Sequence, residues 1–360
     1  MLQPDAPVGY FSNTKNALLA VAASIPNSGA LLEKYNLFSP QKSLQLEDEL
    51  SLYPPAYNTN LMFIWWQQLD GCELARQIGN GGRTKVEALR EVATQLGKKD
   101  WNFRVDPCVN ESSWLTPKSD LRPLYNNSLI CNCSYPGGVC HVVQLFLKGQ
   151  DLDGVLPPSL VKLPNLKLID LNRNYLTGTI PPEWASAKLE NLSISVNKLS
   201  GQIPSYLGSI ITLLYMSLET NLFSGIVPPE LGNLVNLENL ILSANNLTGE
   251  LPKNLTNLSK LTELRISSNN FIGKIPDFFQ SWKQLQKLEI QASGLEGPIP
   301  SSISVLSNLT ELRISDLLGE GSKFPTLSSM TSMKRLILRS CNLYGPIPTS
   351  ISKMTVLQIL

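Results

Sequence analysis

Histidine is all but missing from this chain: among 360 residues only His141 carries an imidazole. Ser-His and Cys-His nucleophile systems need that base, so they have almost no material here. Net charge is missing too. The 30 Lys and Arg against 29 Asp and Glu leave +1, too little for a global field that would draw in nucleic acid or an anionic membrane. No run of about 18 apolar residues occurs, so no stretch of this sequence reads as a membrane span. Acidic residues are plentiful, yet nothing in their spacing selects a glycosidase-type pair. Cys131-x-Cys133 with Cys140 and His141 matches no common zinc module. The reading is therefore a chain with no catalytic residue, no cofactor and no metal.

What the chain has in abundance is a repeat. Units of 24 residues begin at Val142, Leu166, Leu189, Leu213, Leu237, Leu261, Leu285, Leu309 and Met333, with Leu357 opening another and only the Leu166 unit one residue short. The clearest copy runs LENLILSANNLTGELPKNLTNLSK from Leu237. This L-x-x-L-x-L-x-x-N-x-L period predicts an α/β repeat solenoid, a leucine-rich-repeat right-handed superhelix with a parallel β-sheet on its concave face. In each unit the L-x-L pair, such as Leu240 and Leu242, alternates like a strand and sends both side chains inward. Asn174, Asn197, Asn221, Asn245 and Asn269 follow where the chain turns away, placed to hydrogen-bond the backbone of their own and the next turn. Beyond each lies L-x-G-x-I-P, as at Leu199–Pro204, read as a tight glycine turn and an extended segment before a short helical or irregular back side.

Upstream, residues 1–83 carry no repeat and no strong motif. The apolar stretches Asn16–Ala23 and Leu61–Trp66 are short, and Gly79-Asn80-Gly81-Gly82 reads as a loop, so the segment is taken as a poorly structured or atypical leader. Residues 84–141 read as an N-terminal cap. Val86, Leu89, Val92 and Leu96 recur at helical spacing, which predicts a helix over Lys85–Leu96 with Thr84 as N-cap and Gly97 as its stop. Trp101, Phe103 and Val105 then cover the leucines of the first repeat.

Four of the six cysteines, Cys108, Cys131, Cys133 and Cys140, crowd into that cap, while Cys72 and Cys341 stand apart. Joining Cys131 to Cys133 would strain the chain, which leaves two pairings; Cys108–Cys131 with Cys133–Cys140 is the one we expect. Cys341 falls where other units have Asn and reads as a buried reduced thiol. Sequons start at Asn110, Asn126, Asn132, Asn191, Asn246, Asn254, Asn257 and Asn308, and they agree with an oxidising, glycosylating route.

The cap KVEALREVATQLGKKDW…DPC and the L-x-G-x-I-P repeats resemble the ectodomain of plant leucine-rich-repeat receptor-like Ser/Thr kinases. More narrowly, CNCSYPGGVCHV, QASGLEGPIPSSIS and LRISDLLGEGSKFP resemble the subfamily with a malectin-like domain after the repeats, then a membrane span and a kinase. The resemblance covers roughly Lys85 to Leu360. It implies an extracellular recognition region on the plasma membrane, with an apoplastic peptide or cell-wall carbohydrate as ligand and a co-receptor ectodomain as a further partner. The alternative is a secreted inhibitor of a cell-wall-degrading enzyme, built on the same repeat. Leu318–Phe324 looks like the start of a kinase glycine-rich loop, but the third glycine and the HRD and DFG motifs are missing; the glycines are read as replacing the Asn turn of one irregular repeat.

Function then belongs on the outward strand face. Nine strands about 4.8 Å apart make a wall of roughly 40 Å. Its early part offers Asp170, Asn172, Ser193, Tyr215, Glu219 and Ile241, polar groups with an aromatic that suit a peptide backbone or a sugar. Its later part alternates in sign, Glu263, Lys287, Glu311, Arg335 beside Arg265, Glu289, Arg313, which reads as a self-neutralising ladder. Arg335 and Arg339 have fewer partners and are candidates to meet a following domain or an acidic ligand.

Overall fold

The computed structural model describes residues 80–109, 114–115 and 125–360. The leader's apolar stretches, Cys72 and the sequon at Asn110 lie outside the described residues. Residues 77–360 form one compact unit.

The chain enters through helix α1, Asn80–Leu96, which begins five residues before Lys85. Thr84 is therefore inside the helix, not its cap. Gly81 and Gly82, which read as part of a loop, sit in its first turn. Burial of Ala88, Leu89, Val92, Ala93 and Leu96 supplies the tertiary packing that outweighs their roughly 1 kcal/mol helix penalty. The stop is as the sequence predicts: Gly97 adopts φ +78°, and the Lys98 N–H reaches the Ala93 carbonyl at 2.8 Å while Gly97 N–H reaches Thr94, a Schellman ending. Trp101 and Phe103 cover the end of the core as expected, joined by Trp114, whose ring lies 5.1 Å from Trp101 and edge-on to Phe103. Both expected disulfides, Cys108–Cys131 and Cys133–Cys140, are present, so no thiolates remain in the cap for zinc.

Strand β1 (Asn126–Asn132) runs antiparallel to β2 (His141–Lys148), which opens the repeats. After β2 the main sheet adds one parallel strand per unit: β3 (Leu168–Asp170), β5 (Asn191–Ser193), β7 (Tyr215–Ser217), β9 (Asn239–Ile241), β11 (Glu263–Arg265), β13 (Lys287–Gln291), β14 (Glu311–Ser315) and β16 (Arg335–Arg339). The nine expected repeat strands are thus joined by a cap strand, and cap and repeats share one core. Pairing in this sheet keeps strict register from β9 to β16, so Glu263, Lys287, Glu311 and Arg335 stand side by side.

The L-x-G-x-I-P segments do more than turn. They form a second parallel sheet of β4 (Thr177–Gly178), β6 (Lys198–Gln202), β8 (Leu222–Gly225), β10 (Asn246–Gly249) and β12 (Asn270–Phe271). Gly201, read as a tight turn, lies inside β6 with φ +82°, a conformation an L side chain resists. Among the described residues β15 (Ser322–Lys323) and β17 (Leu343–Tyr344) form a separate parallel pair. Short 3₁₀ turns such as Ser205–Ser209, Pro229–Asn233 and Lys253–Asn257 close most coils behind a proline.

These turns stack closely enough to demand glycine. A Cβ on Gly232 would lie 2.3 Å from the Asn254 carbonyl oxygen, a backbone atom that cannot swing aside. We expect Gly232→Ala to cost about 2 kcal/mol by overpacking, seen as a lower urea midpoint. An unchanged midpoint would show that the coils slide apart freely.

The asparagine ladder holds, with its direction corrected. Asn221 Nδ2 donates to the Leu218 carbonyl of its own turn at 3.1 Å and the Ile194 carbonyl of the preceding one at 3.0 Å, while Oδ1 accepts from Leu199 N–H at 3.1 Å. Asn174, Asn197, Asn245 and Asn269 donate to the same two carbonyl positions. The partner is thus the preceding turn, not the next. The residue before each Asn sits at positive φ, including the β-branched Val196 (57°) and Thr220 (55°), a strained geometry that the ladder bonds hold in place. Ladder places further on belong to Ser293, Leu317 and Cys341. In the irregular unit it is the buried Leu317, not a glycine, that takes the Asn place; Gly319 follows at φ +77°. Cys341 is buried and free, and its Sγ donates to the Ile314 and Arg339 carbonyls at 3.3 and 3.2 Å. Burial pushes its thiol up to about 11, so it stays protonated to play this donor part.

Candidate recognition face

The main sheet buries L-x-L pairs such as Leu192 with Ile194 and Met216 with Leu218, so alternate residues face outward in columns. One column runs Gln144, Leu168, Asn191, Tyr215, Asn239, Glu263, and the next runs Phe146, Asp170, Ser193, Ser217, Ile241, Arg265. Gln144, Phe146 and Lys148 on β2 belong to this face, although the first candidate the sequence offers on it is Asp170. The Val142 unit has the same register, so the signal was there to find.

The early candidates are not equally accessible. Asp170, Asn172, Tyr215 and Glu219 are half-buried, whereas Ser193 and Ile241 are 8% and 5% exposed, screened on the outward side. Asn172 is also committed to structure: its N–H donates to Asp170 Oδ1 at 3.0 Å and its Oδ1 accepts from Ser195 N–H at 2.7 Å. Ser195 and Ser217 share a hydroxyl bond of 2.6 Å. Burial pushes the Tyr215 phenol up, opposed by its bond with Ser217, and pushes the Glu219 carboxyl up, opposed by Arg265.

Asp170 gives a pH signature. Burial raises its carboxyl above the ordinary range, against the Asn172 N–H and the charge on Lys148. An acid raised on folding ionises first in the unfolded chain, so stability falls as pH climbs from about 3.9 through the folded value and stays lower above it. Asp170→Asn removes that loss. The variant should be more stable than the parent near neutral pH and equal to it at pH values below the carboxylate range, by urea unfolding; a parent that gains relative stability with pH would contradict this.

The later half is a continuous ionic lattice. Glu289, with a side chain only 11% exposed, lies 3.8 Å from Arg265, 3.4 Å from Lys287 and 3.8 Å from Arg313. Lys287 also reaches Glu263 at 3.5 Å and Glu311 at 3.6 Å, and Arg265–Glu263 and Arg313–Glu311 pair directly on their own strands. Each charge has more than one opposite neighbour in a partly dry setting, so this is a network and not a set of isolated surface pairs. At its far end Arg335 is 44% exposed and 3.7 Å from Glu311, while Arg339 is exposed with no ion pair among the described residues.

The other marked residues fall elsewhere. His141 begins β2 and packs edge-on to Tyr135 at 4.8 Å. Asn246, Asn254, Asn257 and Asn308 are exposed off the main sheet; Asn126 and Asn191 stand on its strands, and Asn132 ends β1. Among the described residues there is no cluster of metal-binding side chains, and no helix is long and apolar enough to cross a membrane.

With this geometry in place, likeness to known proteins becomes informative. The Leucine Rich Repeat family profile matches residues 165–187, 188–210, 236–258 and 260–282. Two probable leucine-rich-repeat receptor-like serine/threonine-protein kinases of Arabidopsis thaliana are 52% identical over 134 residues and 48% identical over 131. Each match takes in 36% of this chain and 13% of the relative, so only a small part of those proteins is represented. Among solved structures, the Arabidopsis receptor kinase HAESA in complex with the peptide hormone IDA and the co-receptor SERK1 is 27% identical, with a TM-score of 0.61 over 76% of this chain and 44% of that one. Repeat, sheet, cap disulfides and relatives agree: the chain is a leucine-rich-repeat solenoid similar to the ectodomains of plant receptor-like Ser/Thr kinases.

Proposed function

We propose that this chain is the ligand-recognition region of a plant receptor-like Ser/Thr kinase, displayed outside the plasma membrane and signalling through a kinase located elsewhere in the protein. The observation that carries the reading is the outward main-sheet face. Its early strands present Phe146, Asp170, Tyr215 and Glu219 among small polar groups, and its later strands end in the exposed Arg335 and Arg339. Such a face offers hydrogen bonds and an aromatic anchor to an extended backbone, with cationic groups for an acidic end. A peptide is the ligand class it favours, with a co-receptor ectodomain as partner; the HAESA complex is a precedent for both. We assign the malectin-like subfamily on the cap and late-repeat motifs alone.

Sequencing the complete transcript tests this. A malectin-like domain, a span of about 20 apolar residues and a kinase following the repeats support it. A closing cap and a stop codon would favour the secreted inhibitor instead. Tyr215→Ala should weaken binding of a peptide purified on this chain from apoplastic fluid by about tenfold or more in calorimetry, the loss typical of an aromatic anchor. Unchanged affinity would move the contact off this part of the face.

A further inference from the structure

The sequons are unevenly placed with respect to the outward face. Asn126 lies opposite Lys148 across the antiparallel pair and so shares its face, and Asn191 stands in the first column between Leu168 and Tyr215. No sequon begins on any main-sheet strand from β7 to β16. Asn191-Leu192-Ser193 is the one that matters, because a strand neighbour is only about 4.8 Å away. The Asn191 amide thus marks the border between the end of the main sheet that bears sequons and the strands from β7 on, which begin none.

We infer that Asn191 carries an N-linked glycan that partitions the outward face, roofing β3 and β5 with sugar and leaving β7 to β16 open. Two cap disulfides place folding in an oxidising compartment, the same route that delivers such glycans. In the transfer, the C1–O bond of a lipid-pyrophosphate sugar donor breaks and a C1–Nδ2 bond forms. The amide proton leaves with the pyrophosphate carrier. The sequon is acceptable in the folded chain as well: Asn191 is half-buried at an outward position, whereas Leu192, beside it, is fully buried. The consequence for recognition, which rests on the proposed receptor reading, is that a partner meets Tyr215, Glu219 and the strands beyond them, while Asp170 and Asn172 lie under carbohydrate.

The test needs no ligand. The full chain secreted from plant cells is deglycosylated enzymatically in heavy-oxygen water and mapped by mass spectrometry, which marks each formerly occupied Asn as labelled Asp. Labelled Asp at position 191 is expected; an unmodified Asn191 overturns the proposal. Nitration then reads the roof. In the parent, in N191Q and in S193A, which removes the sequon without touching Asn191, Tyr215 should label to the same extent relative to the exposed Tyr175, because β7 stays open beside the sugar. A severalfold rise of Tyr215 labelling on loss of the sequon would show that the sugar covers β7 as well and would overturn the partition. Either failure leaves peptide binding standing, and a chain that binds no peptide can still pass both measurements.

Discussion

Replacing Asn221 with Ala should cost about 4 kcal/mol, because it leaves one buried backbone N–H unpaired, worth roughly 1–3 kcal/mol, and removes further buried hydrogen bonds worth about 1 kcal/mol each. The Leu199 N–H loses its acceptor, and the Ile194 and Leu218 carbonyls each lose one of two amide donors, keeping the bonds from Asn197 and Asn245, all inside a core closed to water. The loss also frees the strained Thr220 just before it. In a stacked array each coil is held mainly by its neighbours, so one broken rung weakens coupling between the two halves. We expect urea unfolding of Asn221→Ala to show a lower midpoint and a lower m-value, as the halves begin to unfold separately. Asn221→Cys should lose about half as much, since Cys341 in its own unit already bonds the carbonyls that match those of Ile194 and Glu219, while the bond matching Leu218 and the acceptor are missing. A loss under about 1 kcal/mol for the alanine variant would remove the ladder from the list of what holds this fold.

Trp184→Ala should be about as damaging, near 4 kcal/mol, for a different reason. Its indole is fully buried in the short turn Pro182–Ser186, and its Nε1–H donates to the Pro157 carbonyl of the preceding coil at 2.9 Å. Trp282 repeats the arrangement with Leu255 at 3.0 Å. On the back of the solenoid, then, an indole ties coil to coil where the sheet side uses an amide. Truncation removes a large apolar volume and the coil-to-coil bond to the Pro157 carbonyl, which keeps only the Leu160 N–H of its own turn. Trp184→Phe keeps most of the volume and should cost about 2 kcal/mol, chiefly the lost hydrogen bond. If phenylalanine proved as harmful as alanine, packing geometry and not the indole N–H would be the controlling factor.

Much of this architecture was legible because the period is enforced by burial. Leu240 and Leu242 are inward for the same reason that Leu264 and Ile266 are, so one unit read correctly gives the register of the rest. The ion lattice followed from that register alone. The second sheet did not, because L-x-G-x-I-P reads locally as turn chemistry and its pairing comes only from neighbours three-dimensionally adjacent at the next coil. Left-handed Val196 and Thr220 were equally hidden, since β-branched residues carry no local preference for that conformation. Helix α1 began early because packing of its apolar face overrode the glycines at its start. On the face itself, the sequence placed Ser193 and Ile241 outward correctly but could not show that neighbours screen them. Outward is a statement about parity, and exposure is a statement about crowding.

Amide hydrogen exchange read at residue resolution tests the stacked-coil account most directly. Slow exchange should recur once per unit at Leu199, Phe223 and Leu247, each donating to the asparagine of the following coil, and at Leu218 and Leu242 in the main sheet. Fast exchange at those amides, or protection without the repeat's period, would contradict it.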